Sequence, residues 1–197
     1  MKKTVKSLCD IIENNRTFIS NQREQDLTAL VNYPSKAVVL CCGYPLRFME
    51  HSSEKIYIVA NYGGILKGNE ASLDHGIKDL AIPMLIIIGH EDCSAVKSAL
   101  KGEGNTEFTK ELFNNIMPCF AQGKSRKIRD NIMKHIDYQV SQGLERYRDL
   151  VKAEKLAIVG VFCDNTGKFS ICNYNGLRGL PNLAQALPDV DPSLFLE

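Results

Sequence analysis

Four residues beside two apolar runs carry most of the chemistry this sequence offers. Met84-Leu85-Ile86-Ile87-Ile88-Gly89 is followed directly by His90-Glu91-Asp92-Cys93, and Ala37-Val38-Val39-Leu40 runs into Cys41-Cys42. A His-x-x-Cys spacing where a helix opens puts an imidazole and a thiol on one turn, and the free N–H groups and dipole of a helix start favour the thiolate. Imidazole nitrogen and thiolate sulfur are the preferred ligands of Zn²⁺. One cysteine of the Cys41-Cys42 pair, with His90 and Cys93, is therefore expected to hold one Zn²⁺ in a three-ligand site. The fourth tetrahedral position is then free for water, whose pKa a catalytic zinc lowers toward about 7. Taken alone, His-x-x-Cys is also compatible with a capping histidine and a core thiol.

A second chemistry shares the first strand end. Cys41 and Arg47 form the Cys-x5-Arg spacing used by cysteine-dependent phosphatases, in which a loop cradles an oxyanion and the arginine lowers the thiol pKa. Here the loop has one glycine, Gly43, and Pro45 removes a backbone donor. That reading also leaves His90 and Cys93 without a role.

Both strand ends need a scaffold. Short apolar runs at Ala37 to Cys42, Ile56 to Ala60, Met84 to Ile88 and Leu156 to Phe162 read as buried strands of a parallel sheet covered on both faces. Leu73, Ile77 and Leu80 are spaced for one helical face, and Ile132, Ile136, Val140, Leu144, Tyr147 and Val151 keep that period for several turns. Alternating strands and helices give an α/β class, and ligands of such sheets gather at the carboxyl ends of the strands. Asp164-Asn165-Thr166-Gly167 followed by Phe169-Ser170-Ile171-Cys172 predicts a hairpin whose antiparallel edge strand closes the sheet. One domain over residues 1–197 is expected, with residues 1–32 as an N-terminal helical arm.

Twenty-four Lys and Arg against 23 Asp and Glu leave a formal charge of +1, which provides no field to gather nucleic acid or an anionic membrane. A small-molecule substrate is expected. The basic start lacks an apolar stretch behind it, and seven cysteines without a secretion signal suit a reducing, cytoplasmic setting. Cys9, Cys119, Cys163 and Cys172 sit among apolar residues and read as core thiols.

Several segments, in order, resemble the β-class carbonic anhydrases. Asn14-Asn15-Arg16-Thr17-Phe18 resembles the family's Asn-Arg-x-Phe, Val59-Ala60-Asn61-Tyr62-Gly63-Gly64 its Val-Arg-Asn-Ala-Gly-Asn, and Ser72-Leu73-Asp74 its Ser-Leu-Glu. Gly89-His90-Glu91-Asp92-Cys93-Ser94-Ala95-Val96 is similar to the zinc-binding Gly-His-x-x-Cys-Gly-Ala-Val, and Gly160-Val161-Phe162 with Thr166-Gly167 to the last hairpin. The resemblance implies a parallel β-sheet core flanked by helices with an antiparallel edge strand, and a homodimer or larger homo-oligomer with exchanged N-terminal arms. It implies Zn²⁺ on Cys42, His90 and Cys93, a pocket edged by Asn61, Gly63 and Gly64, and reversible hydration of CO₂ to bicarbonate by zinc-bound hydroxide.

The family's first cysteine opens a Cys-x-Asp-x-Arg motif, and this chain departs from it. Counted from Cys42, the Asp and Arg places hold Tyr44 and Leu46; counted from Cys41, they hold Gly43 and Pro45. Cys42 is preferred as ligand because it puts a proton-bearing side chain, Tyr44, at the Asp place. Ala60 and Ser94 also replace the family's Arg and Gly. Proton removal then falls to Tyr44, Asp92, His75 or buffer. The alternative is an altered or inactive zinc-binding homologue that acts on another small substrate or serves a structural or binding role.

Overall fold

The computed structural model describes residue 12 and residues 35–49, 56–104 and 106–196. The chain divides into a unit Met1–Pro34 and a unit Ser35–Glu197. Apart from Ile12, which is helical, the expected arm, with Cys9 and the Asn-Arg-x-Phe segment, lies outside the described residues, as does His51.

In the second unit six strands form one sheet in the order β2-β1-β3-β4-β5-β6. The strands are β1 (Ala37–Cys41), β2 (Ile56–Ala60), β3 (Met84–His90), β4 (Ala157–Cys163), β5 (Phe169–Tyr174) and β6 (Leu177–Arg178). The first four are parallel; β5 runs antiparallel to β4 and β6 antiparallel to β5. This is the α/β, parallel-core, antiparallel-edge class predicted from the apolar runs. Beyond the expected hairpin, the two-residue β6 extends the sheet, so β5 does not close it. Asp164 shapes the hairpin turn by accepting N–H bonds from Thr166 at 2.8 Å and Lys168 at 3.0 Å.

Because side chains alternate along a strand, β1 feeds two cores. Val38, Leu40 and Cys42 join Leu85, Ile87, Ile136 and Ile158 in the larger one, while Val39 and Cys41 join Ile88, Val159, Val161 and Cys163 on the opposite face. The helices are α1 (Glu70–Asp74, continued by a π-helical turn His75–Asp79), α2 (Ser94–Lys101), α3 (Glu107–Ile116), α4 (Ile128–Arg146), α5 (Arg148–Lys152) and α6 (Leu180–Ala186). The strand β2 departs from the expectation of burial: it is an edge strand among the described residues, and only Val59 is buried while Ile58 is 43% exposed. Leu80 likewise leaves the predicted helical face and is exposed, because the wider π turn rotates it away from Leu73 and Ile77. The long amphipathic stretch ends its first helix at Tyr147 instead of running unbroken to Val151.

Tyr147 stops there with its hydroxyl donating to Asp74 Oδ1 at 2.9 Å. Asp74 also accepts from Arg146 at 3.0 and 2.7 Å and from Lys78 at 2.8 Å, which ties α1 to α4. Partial burial pushes the Asp74 carboxyl up, but these donors outweigh it and hold the group well below the usual carboxylate range. A depressed folded-state pKa stabilises above the unfolded value of about 3.9, and the contribution fades as pH falls from there. Asp74→Asn is expected to cost about 1–2 kcal/mol at pH 7 and to flatten the acid limb of stability. Thermal melts of both proteins between pH 3 and pH 7 check this; parallel curves would refute it.

Candidate metal centre

Cys42 is the first residue past β1, His90 is the last residue of β3, and Cys93 occupies the N-cap of α2. Parallel pairing of β1 with β3 puts these strand ends side by side. Gly89 brings α4 close: a Cβ there would stand 2.5 and 2.7 Å from Ile136 side-chain carbons. Asp92 carries the reversal between β3 and α2 in a left-handed conformation, φ 60°. The Cys42 sulfur, a His90 ring nitrogen and the Cys93 sulfur then all lie within 4.8 Å of one another, and all three residues are buried. A tetrahedral Zn²⁺ with bonds of about 2.0–2.3 Å needs ligands roughly 3.5–3.8 Å apart, which this spacing accommodates.

Ring chemistry supports the same fit. His90 Nδ1 is 2.9 Å from the Glu91 carbonyl oxygen; since a carbonyl only accepts, Nδ1 carries the hydrogen and Nε2 keeps a lone pair. Nε2 is buried and has no hydrogen-bond partner among the described residues, an unmet demand that a metal ion would fill. The two thiols share their protons unequally. A bond from Cys93 draws the Cys42 thiol toward thiolate, helped by the Gly63 backbone N–H against the effect of burial. Cys93 is pushed up by that bond and by burial, opposed by the backbone N–H groups of Val96 and Ala95 where α2 begins. Cys41 differs: it is fully buried on the far face of β1, and burial, then the Cys42 charge, push its thiol up to about 12. That is the reverse of what a nucleophilic Cys-x5-Arg loop requires.

A cavity of about 470 Å³ opens above Cys42 and His90, walled by Tyr44, Arg47, Tyr62, Asp92 and Asn165. Tyr44 stacks on the His90 ring, centroids 5.0 Å apart and planes at 25°, and Phe48 meets it edge-on. The Arg47 guanidinium lies 5.6 Å from the Tyr44 ring centroid, so a cation reaches this wall one residue past the expected Arg place. Leu46 instead packs against the apolar core of the opposite face. Asp92 is at the wall but bound to Lys97 at 2.8 Å. His75 is paired with Asp79 at 3.0 Å, away from the cavity walls.

Asn61, Gly63 and Gly64 do not edge the cavity; Tyr62 of the same turn does. The Asn61 side chain is turned inward, accepting from Ile65 N–H at 2.8 Å and donating to Ile65 carbonyl oxygen at 2.9 Å. Gly63 and Gly64 both have positive φ and wedge behind the cage, where a Cβ on Gly64 would lie 3.2 Å from the Cys42 nitrogen. Sequence reasoning missed Arg47 as a wall residue and Asn165 as a contribution of the hairpin turn. The signal for Asn165 was its place just past the carboxyl end of β4.

The sequence model of the carbonic anhydrase family matches residues 44–168, beginning just past Cys42. A carbonic anhydrase of Mycolicibacterium smegmatis is 23% identical over 78 residues, a stretch of 36% of this chain and 38% of that relative's length. Among solved structures, the β-carbonic anhydrase CcaA superposes with a TM-score of 0.72 at 14% identity, covering 87% of this chain and 88% of that one. A Coccomyxa β-carbonic anhydrase in complex with acetazolamide gives 0.72 at 15% identity, covering 90% and 91%. One of two tetrameric β-carbonic anhydrases from Sordaria macrospora gives 0.71 at 12%, covering 86% and 96%. The Cys-His-Cys cluster at the strand ends of this sheet and the family match over most of the second unit converge, and the chain belongs to the carbonic anhydrase family, with the β-class fold.

Proposed function

We propose that this protein is a zinc-dependent carbonic anhydrase that reversibly hydrates CO₂ to bicarbonate, with Cys42, His90 and Cys93 holding the ion. The observation that carries this reading is the buried His90 ring, with a nitrogen within 4.8 Å of two thiol sulfurs and its Nε2 left without a hydrogen-bond partner among the described residues, beside an open cavity. Zinc bound there supplies a Lewis acid that yields hydroxide from water near neutral pH. The chain's own groups do the rest. The Glu91 carbonyl fixes the His90 tautomer, Tyr44 covers the imidazole face, and Arg47 sets positive charge at the wall where an anionic product leaves. Tyr44 stands at the family's Asp place, and Asp92, one of two carboxylate residues on the wall with Glu91, is there for carrying a proton outward.

A homo-oligomer with exchanged residues 1–32, a single functional domain and a cytoplasmic setting complete the proposal. The tetrameric Sordaria proteins support the first. The described cysteines, all free, suit the last, and no helix of the described residues is long and apolar enough to cross a membrane. The test is zinc content by elemental analysis with stopped-flow CO₂ hydration on one sample, with Cys93→Ser as control. About one zinc per chain and hydration lost in the control is the expected result. Zinc without hydration transfers the site to the second reading, a zinc-binding homologue with another role, which the loss of the Asp-Arg pair favours. No zinc overturns both.

A further inference from the structure

One buried titratable group takes no part in the site described above. His135 lies on α4 and is 3% exposed. Its Nε2 is 2.8 Å from the Gly63 carbonyl oxygen; the carbonyl can only accept, so Nε2 carries the hydrogen. Nδ1 is buried without a partner among the described residues, and burial favours the neutral ring. One helical turn on, Gln139 is 1% exposed and accepts the Leu66 N–H through Oε1 at 2.9 Å. Residues i and i+4 share a helix face, and this pair grips the backbone of a single turn at Gly63 and Leu66.

That turn is fastened to the metal cage from its other side. Asn61 N–H donates to the Cys41 carbonyl at 3.1 Å, and the Cβ position of Gly64 is 3.2 Å from the Cys42 nitrogen. The Cβ position of Gly63 is 3.2 Å from Ala95 Cβ on α2, the helix that Cys93 caps. Displacing the turn therefore displaces both sulfurs.

We infer that His135 is a positioning residue of the metal centre: together with Gln139 it clamps the Asn61–Leu66 turn from behind and so sets the Cys42 sulfur against His90 and Cys93. This rests on the reading of those three residues as ligands. The clamp makes α4, which touches neither ligand nor cavity through His135, a determinant of metal retention. Its chemical requirement is one N–H donor at the reach of Nε2, with no charge.

Two variants separate that requirement from bulk. His135→Leu removes the donor at similar size, and His135→Gln restores an N–H at similar reach. In the metal-free full chain, amide exchange of residues 61–66 is expected to be about tenfold faster in His135→Leu and near the parent rate in His135→Gln, with β3 unchanged as reference. Zn²⁺ affinity, from competition with a chromogenic chelator, is expected to fall about 10–100-fold in His135→Leu, and the thiolate-to-metal absorption of the Co²⁺ form to shift, both recovering in His135→Gln. Unchanged exchange in the turn, unchanged Zn²⁺ affinity, or a His135→Gln protein no better than His135→Leu overturns the inference. If His135→Leu does not fold, His135→Asn, polar but too short to reach Gly63, replaces it. A parent protein that takes up no Zn²⁺ sinks the ligand reading alone, and the exchange measurement still decides the clamp.

Discussion

Cys42→Ala is expected to empty the metal site and Cys41→Ala to leave it loaded. The two thiols are neighbours in sequence but not in environment. Strand alternation sends Cys41 into the core with Val39 and Val161, fully buried, whereas Cys42 emerges past the strand end beside His90 and Cys93. Burial raises the Cys41 thiol to about 12, so it stays protonated and a poor ligand at neutral pH. Structural zinc sites are worth about 10–16 kcal/mol over four ligands, so losing one thiolate should weaken Zn²⁺ binding about 10²–10³-fold. The Cys41→Ala protein should lose only about 1 kcal/mol of stability. Chelator competition and thermal melts on both variants check this. The opposite pattern, with zinc lost from Cys41→Ala, would overturn the assignment of Cys42.

Gly89→Ala is expected to lower stability and metal affinity together. A Cβ at this position would meet Ile136 Cγ1 at 2.5 Å and Cδ1 at 2.7 Å, distances that force the helix away from the sheet or the isoleucine out of its rotamer. Overpacking of this kind costs about 1–3 kcal/mol, or roughly 2–10 °C in melting temperature for a chain of this size. The strain falls one residue before His90, so the imidazole moves with it. Ile136→Ala by itself leaves a cavity worth about 2–5 kcal/mol, yet in the double variant it removes the colliding atoms. The combined loss should be clearly smaller than the two single losses added. Strict additivity would show that Gly89 is not there to admit α4.

The strand ends were the legible part of this fold. The four apolar runs gave β1 to β4 to within about two residues because all of them lie in or against the sheet core, and the Asp-Asn-Thr-Gly signal gave the hairpin. Apolarity could not report that β2 is an edge, since Ile58 is as hydrophobic exposed as it would be buried. Helical period assumes 3.6 residues per turn, so the π turn at His75–Asp79 put Leu80 on the wrong side. In the site, residues fixed by regular structure, Cys42, His90 and Cys93, could be brought together on paper. Arg47 reaches the cavity from a short 3-10 turn, Pro45–Phe48, and Asn165 from the hairpin turn, neither long enough to carry a period that can be read. The role of His135 is a bond to a backbone oxygen 72 residues away, and nothing in the residue types at either end announces it.

The cysteine doublet has a bearing on how tightly a metal held by Cys42, His90 and Cys93 would supervise the sheet. In β1, Val38 and Leu40 face one core and Val39 and Cys41 the other, all of them buried, so a slip of one residue trades one apolar set for another at little cost. The same slip carries Cys41 to the place Cys42 holds and keeps a sulfur at the strand end. An ion bound there would be blind to this alignment error. Proofreading of β1 falls to the side chains that follow the doublet: the same slip puts Gly43 where Tyr44 stacks on His90 and Pro45 where Leu46 packs against the opposite core.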